Sequence, residues 1–125
     1  MNCEDYQCLY PKYSKLPLAK EVWNAPEYEE HGNHFHDCKS CGDWTLAQRV
    51  EARGASLADY PCVHIAYYVT EKLESTEVDP FEDPDVILWQ FEKTGEVGIP
   101  VRDGGSSIIA IQHCPWCGIP LNKDR

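Results

Sequence analysis

Basic residues are scarce in this chain. Lys and Arg number 11 against 21 Asp and Glu in 125 residues, a net charge of −10. Phosphate contacts need Lys and Arg, so direct nucleic-acid binding is disfavoured, and the sign points to a basic protein partner. Long apolar runs are missing too. None approaches the ~18 residues of a membrane-spanning helix, so no membrane association is expected. The opening stretch, MNCEDYQCLY, is acidic and lacks the apolar core of a secretory signal. The expected location is therefore the cytoplasm. An even cysteine count is also lacking: seven cysteines cannot all pair within one chain. In a reducing compartment they read as metal ligands and free thiols, not as a disulfide framework. No nucleophile–base–orienter set or oxyanion feature is visible, so no catalytic residue is assigned.

What is present suffices for a core. Apolar residues make up 42% and aromatics 11%, and the length fits one domain spanning 1–125. The organising stretch is VGIPVRDGGSSIIAIQHCPWCGIPL, Val97 to Leu121. Two short apolar runs flank Asp103-Gly104-Gly105, a turn signal, and the second run leads into Cys114-Pro-Trp-Cys117-Gly118. This reads as a β-hairpin that delivers a C-x-x-C knuckle. Gly118 supplies the positive φ that turns backbone N–H groups toward the sulfurs.

A second C-x-x-C-G unit, Cys38 to Gly42, closes the segment HGNHFHDCKSC. Two such units in one cytoplasmic chain point to zinc, with Cys38, Cys41, Cys114 and Cys117 as one four-thiolate site. The 72 residues from 42 to 113 separate the pairs, where a compact zinc ribbon has roughly 15–20. Most of the domain would be inserted between the knuckles. A candidate second metal site draws on Cys3, Cys8, His31, His34 and His36. The alternative for those histidines is a polar loop before the knuckle.

The remaining segments read as follows. Residues 1–16 are irregular. Pro17 opens a short helix, 17–24, stopped by Pro26, which starts a turn through Glu30. Asp43 caps a helix over 45–53 with Gly54 at its C′ position. From Tyr60 the period becomes two, and 62–70 reads as a strand with one buried face. Cys62 and His64 share a face there: a nucleophile pair in one reading, a buried thiol beside a bonded histidine in the other, with a metal role between them. Residues 71–85 carry seven acids and one Lys. They form either a solvated loop or a docking surface, with Val78 and Phe81 as apolar anchors among Glu74, Glu77, Asp79, Glu82, Asp83 and Asp85. Val86 to Phe91 reads as a strand buried on both sides, and Pro100 moves the strand 97–102 toward an edge. The fold class is α+β: an antiparallel sheet of about four strands (62–70, 86–91, 97–102, 107–113), short N-terminal helices and a zinc-ribbon-like knuckle site.

Asp79 to Leu121, about a third of the chain, resembles a family of small bacterial proteins classed only as a domain of unknown function. The shared pattern is D-P-F-D-C-P-D, an apolar strand, Y-G-(I/L), D-G-G-S-S and C-P-W-C-G-x-x-L-P. The family begins with a Cys-Cys-Glu motif that Cys3-Glu4 echoes weakly. The resemblance implies a metal role for Cys114 and Cys117. It also shows departures: Asp83 stands where the family has cysteine, and Cys38 and Cys41 have no counterpart, which makes them candidates to replace the absent ligands. It implies no activity.

The expected function is a zinc-binding, non-enzymatic binding or inhibitor module acting on a basic partner, for instance an immunity protein against a bacterial toxin. The alternatives are a zinc or thiol enzyme using His31, His34, His36 or Cys62 and His64, and a metal-buffering or redox-sensing protein.

Overall fold

The structure is a computed structural model and describes residues 1–74, 79 and 81–121. The chain divides into two compact units, Met1–Thr45 and Leu46–Arg125.

The first unit is helical. Helices α1 (Cys3–Ser14), α2 (Lys20–Trp23) and α3 (Pro26–Asp37) precede α4 (Lys39–Ala52), which begins in this unit. Residues 1–16 are thus not irregular. The Asn2 side chain caps α1 by accepting the Asp5 N–H at 2.7 Å, and Glu4 and Asp5 lie in the first turn. Pro26 does not break the chain into a turn. It occupies the first turn of α3, where its missing N–H has no helical partner to lose. The buried side chains here are Tyr6, Tyr13, His31, Cys41 and Thr45. Tyr6 stacks on His31 with ring centroids 4.1 Å apart. Its hydroxyl donates to Thr45 Oγ1 at 2.7 Å, while Thr45 donates to the Cys41 carbonyl at 2.8 Å.

The second unit holds the sheet. Asp43 does not cap α4 but lies inside it, paired with Lys39 one turn back at 2.8 Å. Gly54, at φ +86°, follows the helix as expected. Residues 62–70 are not a strand: α5 covers Val63–Val69, and its buried face is His64, Ile65, Ala66 and Val69. Seven residues alternating Val, Ile, Tyr and Val fit period 2 on paper. Ile65 and Val69, four apart, instead share the helical face that packs into the core. The sheet therefore has three strands, not four: β1 (Trp89–Gln90), β2 (Val97–Pro100) and β3 (Ile108–Ala110), all antiparallel in the order β1-β2-β3.

Val86 and Leu88 are buried while Ile87 is 39% exposed, so the segment 86–91 buries one face only. β2 is central despite Pro100. β1 pairs only with Val97 and Gly98, so no β1 residue faces Pro100 and its missing N–H costs no ladder bond on that side. Gly98 is required where the strands meet. A Cβ there would lie 2.5 Å from Ile108 Cδ1 and 2.7 Å from the Ile109 carbonyl oxygen. The core joins Ile65, Val69, Leu88, Val97, Cys114 and Leu121, with Tyr60, Cys62, Tyr68, Ile111 and Ile119 around it. Arg53, its side chain 3% exposed, donates to the Tyr67 carbonyl at 2.6 Å and to Thr70 Oγ1 at 3.0 Å, holding the end of α4 to the end of α5. Among the described residues no helix is long and apolar enough to cross a membrane.

Candidate metal centres

The hairpin that carries β2 and β3 closes through Gly104, at φ +89°, and the Val101 N–H bonds the Ser107 carbonyl at 2.9 Å. Beyond β3 the chain folds on itself again. The Cys114 N–H donates to the Ile119 carbonyl at 2.9 Å and the Gly118 N–H to the Cys114 carbonyl at 2.8 Å. Gly118, at φ +76°, makes the reversal possible. This is the expected knuckle. The Trp116 N–H points at Cys114 Sγ, 3.4 Å away. Cys62, just before α5, is extended (φ −156°, ψ 169°), and its sulfur accepts the Ile65 N–H at 3.5 Å. That turns Cys62 back toward His64 in the first turn. Cys62, His64, Cys114 and Cys117 thus form one group whose ligand atoms all lie within 4.8 Å of one another. Trp116 stacks on Tyr68 at 4.2 Å and lies roughly parallel to His64 at 6.4 Å, giving the group an aromatic wall.

A second group of the same composition lies in the helical unit. Cys3 is the first residue of α1, His34 is in the last turn of α3, Cys38 follows α3, and Cys41 is in the first turn of α4. Their ligand atoms also lie within 4.8 Å of one another. Cys3 Sγ and Cys38 Sγ are 3.7 Å apart. Cys41 is fully buried, and His34 Nε2 is a buried nitrogen with no hydrogen-bond partner among the described residues.

Thiol acidities differ within each group for physical reasons. Cys117 is brought down to about 7 chiefly by the Ile119 N–H, with His64 and the neighbouring thiols helping. Cys62 is pushed up to about 12 by burial. In the helical unit the Cys41 N–H lowers Cys38, and the Cys3 thiol adds to this. Burial pushes Cys41 itself up to about 12. Each group therefore pairs a thiol shifted down by hydrogen bonds with one shifted up by burial. Three sulfurs and one imidazole in a compact set match the tetrahedral Cys3His ligand pattern.

The four cysteines expected in one site are divided between the two candidate groups. Cys38 and Cys41 fall in one group, Cys114 and Cys117 in the other, and each C-x-x-C finds its complement within its own unit. Of the proposed second set, Cys3 and His34 join Cys38 and Cys41, whereas Cys8, His31 and His36 belong to neither group. His31 donates from Nε2 to the Tyr6 carbonyl at 3.1 Å, so its ring serves packing. Cys8 and His36 are exposed. Cys62 and His64 lie at the start of a helix and not on a strand, and both belong to a candidate ligand group. The signal for that was their adjacency, Cys-x-His, opposite a lone knuckle.

The acidic candidates differ in exposure. Asp83 is buried, and its carboxylate accepts the Asp85 N–H at 2.9 Å, so it holds its own loop. Glu74, Asp79, Glu82 and Asp85 are exposed, and Phe81 packs on Trp89 with ring centroids 5.0 Å apart. Glu77 and Val78 lie outside the described residues.

The pattern of the family described as Domain of unknown function (DUF6980) matches residues 59–125, more than half of the chain. No curated protein and no solved structure matches. The matched segment contains all of Cys62, His64, Cys114 and Cys117, and it begins well after Cys3-Glu4.

Proposed function

The chain belongs to this family of unknown function, and we propose that it is a small acidic zinc protein that acts by binding rather than by catalysis. One observation carries this: Cys62, His64, Cys114 and Cys117 form a closed four-member set. A catalytic zinc keeps a position open for water or substrate, whereas four protein ligands fill a tetrahedron and leave the ion a structural task. Cys114 belongs to the hydrophobic core itself, so the ion would fix the knuckle to α5 and the sheet. The compartment that suits seven unpaired thiols is the cytoplasm.

The partner in this reading is a basic protein, held by an acidic face. Glu71, Glu74, Asp83 and Asp85 line an open hollow of about 350 Å³. Burial among these acids raises the Glu71 carboxyl above its ordinary value. A cationic side chain entering the hollow would relieve that. Inhibition of a basic, nucleic-acid- or nucleotide-handling enzyme, as in a bacterial toxin–immunity pair, is the form of function that best combines small size, acidity and a non-catalytic metal.

The test is affinity purification of the full chain from its native host, without chelator, beside the variant Glu74→Gln/Asp79→Asn/Glu82→Gln/Asp85→Asn. The expected result is a basic protein recovered stoichiometrically with the wild type and lost, or reduced ~10-fold or more, with the variant, because rim charges set steering and salt dependence. Equal recovery with both, or no stable partner at all, refutes the partner proposal.

A further inference from the structure

We propose that the N-terminal unit, which lies outside the family-matched segment, holds a zinc ion of its own on Cys3, His34, Cys38 and Cys41, and that this ion joins α1, α3 and α4 where an apolar core would otherwise do so.

The sulfur geometry supports this first. With Zn–S bonds of ~2.3 Å and tetrahedral angles, two ligating sulfurs stand about 3.8 Å apart. Cys3 Sγ and Cys38 Sγ are 3.7 Å apart although 35 residues separate them in the chain. The fourth ligand supports it independently. His34 Nε2 is buried and has no partner among the described residues. A buried polar atom left without a partner is costly, and a metal–nitrogen bond is the interaction that this neighbourhood offers it. His31, one turn away on the same helix, shows the contrast: its Nε2 is satisfied by the Tyr6 carbonyl.

The third support is what the unit does not bury. Its buried residues are Tyr6, Tyr13, His31, Cys41 and Thr45, with no Leu, Ile or Val among them. Chains near this length usually need a metal, disulfides or a partner to fold. The four ligands come from the start of α1, the end of α3, the residue after it and the start of α4. One ion at that point fixes three helix termini at once. Thiolate and imidazole donors in a tetrahedral set select zinc over the hard cations.

The proposal is independent of the reading of the family segment, and one experiment separates them. Native mass spectrometry and zinc quantification are made on the full chain, on Cys38→Ser/Cys41→Ser and on Cys114→Ser/Cys117→Ser. Two zincs per wild-type chain and one in each double variant are expected. A single wild-type zinc that persists in Cys38→Ser/Cys41→Ser overturns this proposal and leaves the family site standing. A single zinc lost in that variant and kept in Cys114→Ser/Cys117→Ser supports it and removes the family site. A chain 2 Da lighter with no zinc in the N-terminal unit, its Cys3 and Cys38 joined as a disulfide, overturns it as well.

Because a double variant can fail to fold, His34 supplies a milder test. His34→Cys keeps a tetrahedral ligand set and should retain two zincs. His34→Ala should hold the second zinc at least 10-fold more weakly and expose residues 1–45 to limited proteolysis. Equal zinc affinity in His34→Ala and wild type would overturn the assignment.

Discussion

The two units carry Cys/His groups of the same composition, three cysteines and one histidine, in opposite surroundings. In Leu46–Arg125 the group sits on a hydrophobic core, and Cys114 is packed among Ile65, Val69, Leu88, Val97 and Leu121. In Met1–Thr45 the buried residues are Tyr6, Tyr13, His31, Cys41 and Thr45, with no aliphatic side chain among them. The difference teaches that one ligand set can do two jobs. On the proposed zinc, the second unit gains rigidity at its knuckle, while the first gains its tertiary structure.

The largest expected effect breaks that comparison open. Zinc binding is worth ~10–16 kcal/mol in small zinc-finger peptides, against ~5–15 kcal/mol for the net stability of a domain. Removing zinc with a strong chelator should therefore erase amide-exchange protection throughout α1 and α3. It should leave measurable protection at Ile65, Val69 and Val97. Equal loss in both units would mean that the core of the second is not self-sufficient.

A core truncation should show the reverse asymmetry. Ile65 is fully buried, and Ile65→Ala should cost about 2–5 kcal/mol through lost burial and a residual cavity. Thermal unfolding of the zinc-loaded chain should show the second unit's transition lowered by several degrees, with protection in α1 unchanged. A drop of equal size in both would show that the units unfold together.

How much of this was legible follows from how local each feature is. The hairpin around Asp103-Gly104-Gly105, the knuckle ending at Gly118 and the Gly54 stop depend on turn chemistry, which a few residues determine. The helix α5 was hidden because Val63, Ile65, Tyr67 and Val69 also fit a strand. Only the core and the Cys62 sulfur under the Ile65 N–H decide between the two. Helix α2 falls within the expected helix 17–24, whereas α1 and α3 were masked by Pro11, Pro26 and Gly32 and by a stripe made of Tyr and His instead of Leu. The two Cys/His groups were half legible. Both C-x-x-C pairs declared themselves, but their complements depend on which helix ends meet, which spacing does not encode.

A smaller perturbation sharpens the view of the polar packing in the first unit. Tyr6 donates its hydroxyl to Thr45, which passes a hydrogen bond on to the Cys41 carbonyl. Tyr6→Phe keeps the ring on His31 and removes one buried bond, a cost of ~0.5–1.5 kcal/mol. Exchange should rise in α1 and at the start of α4 and stay constant in β2 and β3. No change in α1 would place the unit's stability wholly in its metal ligands.

The smallest effect concerns the protonation of His31. Burial lowers its pKa below the ordinary 6.5; the bond to the Tyr6 carbonyl and the nearby Glu27 pull the other way, and His34 adds to the lowering. The folded unit thus prefers the neutral ring, whereas the unfolded chain takes up its proton near 6.5. Between the folded value and 6.5 the unfolded state binds more protons, so stability rises with pH across that window and the gain is complete above 6.5. On acidification the same contribution is lost, as the neutral ring between Tyr6 and Tyr13 is disfavoured relative to the charged one in water. An NMR titration of the His31 ring in zinc-loaded protein should give a midpoint below 6.5. A midpoint above 6.5 would mean that the bond to the Tyr6 carbonyl, with Glu27 adding to it, outweighs burial at the ring.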